Sequence, residues 1–132
     1  MSTRLASDRT GYERLEVYQR AMQMMKVTHE VVMKLPEHER YDLASQMRRA
    51  SKSVPANIVE GYAKRAAPKE FARALSMALG SANEMEAHFK IARDLGYLSA
   101  DESARYIAEY EIIGRQLRRL MQYWRSKPRE TT

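Results

Sequence analysis

The sequence predicts an all-α protein, an antiparallel up-down-up-down four-helix bundle with a kinked second helix. Three observations carry that prediction. Apolar residues recur at alternating spacings of four and three, the mark of a helix face meeting other helices, in four separate stretches of roughly 23–27 residues. Breakers fall between the stretches, at Pro36, at Ala66-Ala67-Pro68 and at Gly96. Neither period-two alternation nor an Asn-Gly or Asp-Gly hairpin signal occurs, and no repeat of solenoid length is present. Helices joined by such short turns become antiparallel neighbours.

The 132 residues suit one domain, read as a bundle over 12–126 between a flexible N-terminal segment, 1–11, and a polar tail, 127–132. There is no cysteine, which excludes disulfides, thiolate metal sites and a Cys nucleophile. The start of the chain lacks the apolar core of a signal peptide, and no stretch is apolar enough to span a membrane. The expectation is a cytoplasmic protein without membrane contact. Lys and Arg number 23 against 17 Asp and Glu, a net charge of +6, which favours polyanionic partners and says nothing of fold.

The first helix is expected to start near Tyr12, with Thr10 and Glu13 at capping-box spacing, and to end at Pro36. Leu15, Tyr18, Met22, Met25, His29 and Val32 make its stripe. Val17, Ala21, Met24, Thr28 and Val31 widen it, a face broad enough for more than one neighbour. Its methionines, Met22, Met24, Met25 and Met33, can fill irregular contacts between copies of the chain.

The second helix, about Tyr41 to Arg65, carries the least usual pattern. Leu43, Met47, Ala50 and Val54 keep the four–three step, and continuing it lands on Asn57 and Gly61, a polar amide and a bare backbone. Pro55 removes a donor and crowds the carbonyl of Ser51, which predicts the kink. Gly61 would admit a close helix, and Asn57 would bond the carbonyl freed by Pro55 or fix packing register; the other reading of the two is a ligand or RNA contact, and the structural one is preferred. Glu60, on a polar flank with Gln46, Ser53 and Arg49, reads as half of a buried Arg–Glu pair between helices or subunits.

Pro68 suits the first turn of a third helix, about Pro68 to Asp94, whose stripe runs Phe71, Leu75, Ala78, Ala82, Met85, Phe89 and Ala92. Gly96 is placed for a left-handed C-cap, and Ser99 with Glu102 for a second capping box. The fourth helix, about Ala100 to Ser126, has Tyr106, Tyr110, Ile113, Leu117, Leu120 and Trp124 on its stripe.

The candidate functional residues are basic. The second helix supplies Arg48, Arg49, Lys52, Lys64 and Arg65, and the fourth Arg115, Arg118, Arg119 and Arg125. One reading is a solvated face with scattered ion pairs of little worth. The other is a phosphate-binding surface whose affinity falls steeply with salt. Tyr123, beside Arg125, is the better base-stacking candidate than Trp124, which belongs to the stripe. His29 reads as a core-edge residue, His88 as an exposed pair with Glu84, and His38 as a turn residue. Without metal-ligand spacing, a Glu-x-x-His pair or a glycine-rich phosphate loop, no metal, cofactor or catalytic role is expected.

Gln46-Met47-Arg48-Arg49-Ala50 followed by Ser53-Val54-Pro55-Ala56-Asn57-Ile58-Val59-Glu60-Gly61 resembles the signature of the four-helix-bundle proteins encoded in intervening sequences of bacterial 23S ribosomal RNA genes, also labelled S23 ribosomal proteins. Leu15-Glu16-Val17-Tyr18, Glu39-Arg40-Tyr41, Glu70-Phe71, Gly80-Ser81, Glu84 with Glu86, and Leu95-Gly96-Tyr97-Leu98 extend the likeness from about Tyr12 to Trp124. The resemblance implies the up-down bundle, assembly as ring-shaped homopentamers with basic surfaces, and no catalytic residues. It also implies kinship with accessory proteins of diversity-generating retroelements, which bind a reverse transcriptase and its template RNA. Three functions follow as expectations: RNA or DNA binding by a basic ring, docking to a reverse transcriptase, or a purely structural scaffold. Asp42, where relatives often have Gly, and Ala66-Ala67-Pro68, where a Ser or Thr cap is usual, depart from the pattern.

Overall fold

The computed structural model describes residues 11–129. Thr10, and with it the capping box proposed with Glu13, lies outside the described residues, as do 1–10 of the N-terminal segment and 130–132 of the tail. Four helices follow in order: α1 (Glu16–Val32), α2 (Leu43–Ala63), α3 (Pro68–Asp94) and α4 (Ala100–Arg125). A 3-10 turn, Gly11–Arg14, precedes α1, and another, Glu37–Glu39, precedes α2. No strand occurs among the described residues.

Cross-helix pairs fix the topology. Phe71 meets Trp124 with ring centroids 4.8 Å apart, and Phe89 meets Tyr106 at 5.1 Å, so numbers rising along α3 fall along α4. Between α2 and α3, Arg49 faces Glu84 at 3.7 Å and the Ser81 hydroxyl donates to that of Ser53 at 2.9 Å. The Tyr12 ring reaches Tyr62 at one end of the α1–α2 pair, and Lys34 reaches Glu102 at 3.5 Å at the other end of the α1–α4 pair. Each helix therefore runs antiparallel to its two neighbours, and extensive contact is confined to neighbours around the square.

The core follows the stripes. All seven stripe residues of α3 are at most 1% exposed, as are Tyr110, Ile113 and Leu117 of α4. On α1 the order is reversed from expectation except at Val32, which is buried as expected. Val17, Ala21, Met24, Thr28 and Val31 are buried, whereas Leu15, Tyr18, Met22, Met25 and His29 lie half-covered at the edge. Thr28 tolerates the core because its hydroxyl donates to the Met24 carbonyl at 2.7 Å. The α1 helix also starts later than expected, at Glu16, after a 3-10 turn.

On α2 the stripe drifts. The residue after Val54 in the core is Ile58, fully buried, and Asn57 stands half-exposed beside it. Asn57 and Ile58 flank the stripe about equally, and the apolar side chain goes inside. The Asn57 amide donates to the Ser53 carbonyl at 2.9 Å and hydroxyl at 3.0 Å, so it does not serve the Ser51 carbonyl left by Pro55. Helical structure runs without a break through Pro55, which is buried. Gly61 fits its expected role: a Cβ there would lie 2.7 Å from both the Ala74 Cβ and the Phe71 Cδ1, so only glycine lets α3 come this close.

The two ends of α3 and the start of α4 agree with the sequence residue by residue. Pro68 opens α3. Gly96, at φ +79°, closes it, with the Gly96 amide donating to the Arg93 carbonyl and the Tyr97 amide to the Ala92 carbonyl. Those two bonds are the Schellman arrangement. Ser99 Oγ accepts from the Glu102 amide at 3.0 Å and caps α4.

Candidate nucleic-acid interface

The nine predicted basic residues do not form one surface, because α2 and α4 occupy diagonal corners of the square. Arg48, Arg49 and Lys52 share the outer flank of α2, where with Ser45, Ser53 and Ala56 they line a shallow cleft of about 400 Å³. Two of these cations have protein partners. Arg48 donates to the Arg40 carbonyl at 3.0 Å, and Arg49 approaches the Glu84 carboxylate at 3.7 Å. Lys64 and Arg65 stand at the far end of α2, the first 3.4 Å from Glu60.

That Glu60 contact corrects the expectation of a buried Arg–Glu pair between helices of one chain. Glu60 is exposed and pairs one turn along its own helix, with no arginine across a seam. Gln46 is likewise exposed and donates to Asp42 Oδ1 at 3.0 Å. His88 departs in the opposite sense. It does bond Glu84, at 2.9 Å, but it is buried, 6% exposed, and its other ring nitrogen has no partner. No group of acidic or histidine side chains suited to a metal ion occurs among the described residues.

On α4, Arg115, Arg118, Arg119 and Arg125 are exposed, and none forms an ion pair among the described residues. Arg118 still feels Glu86 across the α3–α4 seam. Burial and the facing Glu111 raise the Glu86 carboxyl, and Lys90 and Arg118 pull it back.

The antiparallel topology gathers the charge. The start of α1, the end of α2, the start of α3 and the end of α4 meet at one end of the bundle. Residues 11–20, 56–75 and 116–129 hold eleven Lys and Arg against four Glu. The remaining described residues hold ten against eleven acids. Essentially the whole net charge of the described residues therefore lies at that end.

The same end carries a continuous run of rings. Tyr18 meets Tyr12 at 4.9 Å, Tyr12 meets Tyr62 at 6.2 Å, Tyr62 meets Phe71 at 6.0 Å, Phe71 meets Trp124 at 4.8 Å, and Trp124 meets Tyr123 at 5.8 Å. Cations rest on it. The Arg65 guanidinium lies 4.1 Å over Tyr62, and Lys127 Nζ sits 4.6 Å from the Trp124 ring and 5.0 Å from that of Tyr123. Such pairs contribute about 0.5–1 kcal/mol each at exposed sites. Sequence reading counted the tyrosines with Trp124 as possible stacking residues and preferred Tyr123, but did not bring Tyr12, Tyr62 and Lys127 together with them. The signal was available, because every one of these rings lies near the helix terminus that an up-down bundle brings to one end.

Fold and charge together define, over the described residues, a basic helical bundle with one electropositive, aromatic end. The family described as the 23S rRNA-intervening sequence protein matches residues 13–119, and the chain belongs to it. The crystal structure of a protein of unknown function of the S23 ribosomal protein family, from Bacteroides thetaiotaomicron VPI-5482, superposes with a TM-score of 0.73. That similarity covers 80% of this chain and 95% of the other at 19% identity, and it supports the fold. No functionally curated protein matches the sequence.

Proposed function

We propose that this protein is a non-catalytic RNA-binding module of the cytoplasm whose principal contact surface is the basic end of the bundle. The observation that carries the reading is the confinement of the net charge there, alongside rings able to meet unpaired bases. Phosphates supply most of the affinity in such binding, and they ask only for positive charge at the right spacing. The flank of Arg48, Arg49 and Lys52 is secondary, since two of its three cations already have partners within the chain.

Several copies acting together would add their fields. Tyr18, Met22 and Met25 of α1 with Pro55 and Val59 of α2 line an apolar cleft of about 250 Å³ that supports packing of copies against one another, and the assembly proposed is a ring, a homopentamer. Docking to a reverse transcriptase is a further use open to such a ring.

The test is binding of labelled structured RNA as a function of salt, with two charge-reversed variants. Arg118, Arg119 and Arg125 changed together to Glu are expected to abolish most of the affinity and flatten the salt slope by about 0.7–0.9 per lost phosphate contact. Reversal of Arg48, Arg49 and Lys52 is expected to weaken binding less. Unchanged affinity in a folded first variant would overturn the assignment. Light scattering on the same samples reports the assembly, and a monomer mass at micromolar concentration would remove the ring.

A further inference from the structure

Beside the aromatic run lies a cleft of about 290 Å³ between the start of α1 and the end of α4. Its floor is apolar, from Leu15, Val17 and Leu120. One wall is the ring of Tyr123, 56% exposed although neighbouring side chains hold it in place. Lys127 donates to its hydroxyl at 3.3 Å, and Trp124 meets it edge-to-face at an interplanar angle of 90°. Arg119, without an ion pair among the described residues, stands at the rim. Glu16, paired with Arg20 at 3.4 Å, and Gln116 complete the lining, and the Gln116 side-chain oxygen is shielded from solvent with no donor within the chain.

These features suit one chemical shape. A flat ring can lie against Tyr123 over the apolar floor. With the Gln116 amide turned toward the cleft, an N–H on the ring's edge would pair with its oxygen, which is costly to leave unpaired. A negative charge attached to that ring would meet Arg119. Phosphate alone would leave the floor and the exposed ring unused, and an aliphatic side chain would leave Gln116 and Arg119 unused.

We propose that this cleft takes a single unpaired nucleobase of a single-stranded RNA, stacked on Tyr123, with the adjoining phosphate at Arg119. A base inside a duplex has both faces stacked and its pairing edge occupied, so it cannot enter without being extruded. The proposal rests on the RNA-binding reading above and narrows it to single strands, loops or frayed ends at this position.

The experiment compares a labelled single-stranded RNA with an RNA duplex of equal length at low salt, using the full chain and its Tyr123→Ala, Tyr123→Phe and Gln116→Leu variants. Tyr123→Ala is expected to lower single-strand affinity about five- to a hundredfold and leave duplex affinity unchanged. Tyr123→Phe is expected to retain the wild-type value, because the ring remains, and Gln116→Leu to lose severalfold on single strands only. Trp124, the sole tryptophan, touches Tyr123, so its emission should change on single-strand binding and not on duplex binding. Equal effects of Tyr123→Ala on both RNAs, or none on either, would overturn the base pocket and leave the RNA-binding reading intact. A lowered assembly mass for Tyr123→Ala with unchanged single-strand affinity would also overturn it, since the cleft would then join copies of the chain. Failure of the wild type to bind either RNA would reject the RNA-binding reading itself.

Discussion

The Tyr97 hydroxyl donates to the Glu39 carboxylate at 2.7 Å and ties the α1–α2 turn to the α3–α4 turn. Glu39 is only 8% exposed. Its other oxygen accepts from the Leu43 amide at 3.4 Å, so it serves the first turn of α2, where Asp42 makes no side-chain cap. His38 Nε2 lies 3.1 Å from the same phenol oxygen. The Tyr97 bond holds the Glu39 carboxyl below its ordinary value, assisted by the Leu43 amide and the His38 charge and opposed by burial. The same bond, with burial and the carboxylate charge, raises the Tyr97 phenol.

The signs of these shifts predict a stability window. A lowered carboxyl stabilises the fold above its unfolded value of about 4.5, and that contribution disappears as pH falls through the folded value. A raised phenol stabilises below about 10 and the contribution disappears as pH rises through the folded value. The melting temperature of wild type should therefore exceed that of Tyr97→Phe most near neutral pH, with the gap closing on both sides. A gap that stays constant with pH would show that the pair does not couple to titration.

Alkaline unfolding has a second source. Tyr110 is buried in the core with its hydroxyl toward Thr28, whose own hydroxyl is committed to Met24, and burial pushes its phenol up to about 12. Unfolded tyrosine ionises near 10, so stability present below that pH is lost progressively up to about 12, by roughly 2–3 kcal/mol. Ultraviolet titration of the phenols should show one group ionising only with unfolding, and that group should vanish in Tyr110→Phe.

The two glycines Gly61 and Gly80 should respond oppositely to alanine. At Gly61 the new Cβ would meet Ala74 and Phe71 at 2.7 Å, an overpacking that costs about 1–3 kcal/mol in chemical denaturation. At Gly80, inside α3, nothing lies within 4 Å, and alanine should stabilise by about 0.5–1 kcal/mol through better helix propensity. Equal effects at both positions would contradict the close approach of α2 and α3.

Loss of the Ser99 cap should be local and modest. Ser99→Ala leaves the Glu102 amide without its acceptor and should lower stability by about 1 kcal/mol, with no change in RNA affinity because the cap lies at the end away from the basic cluster. Denaturant midpoints paired with a binding titration check both halves.

Much of the fold was legible because several residues have one reading each. Pro68, Gly96 and Ser99 mark their boundaries through φ preference or a single side-chain bond, and α3 keeps its period for its whole length. The α1 face was harder, since two adjacent stripes are both apolar and only the neighbours decide which goes inside. Asn57 was misplaced because it and Ile58 flank the stripe about equally, and the apolar Ile58 goes inside while the Asn57 amide bonds Ser53. The candidate site was legible as residue types and not as a surface. Charge counted along each helix joined Arg48 to Arg119, and only the antiparallel arrangement separates them and brings Lys64, Arg125 and Lys127 to one end.

Confinement of the charge to one end also gives the molecule a direction. In an antiparallel square the backbone dipoles of the four helices largely cancel. The side chains then set the electric dipole, which lies along the bundle with its positive pole at the aromatic end. Within a Debye length of roughly 8–10 Å of a polyanion, that dipole exerts a torque as well as an attraction. The bundle would be turned before it touches, arriving rings first with the Tyr97–Glu39 turns pointing away.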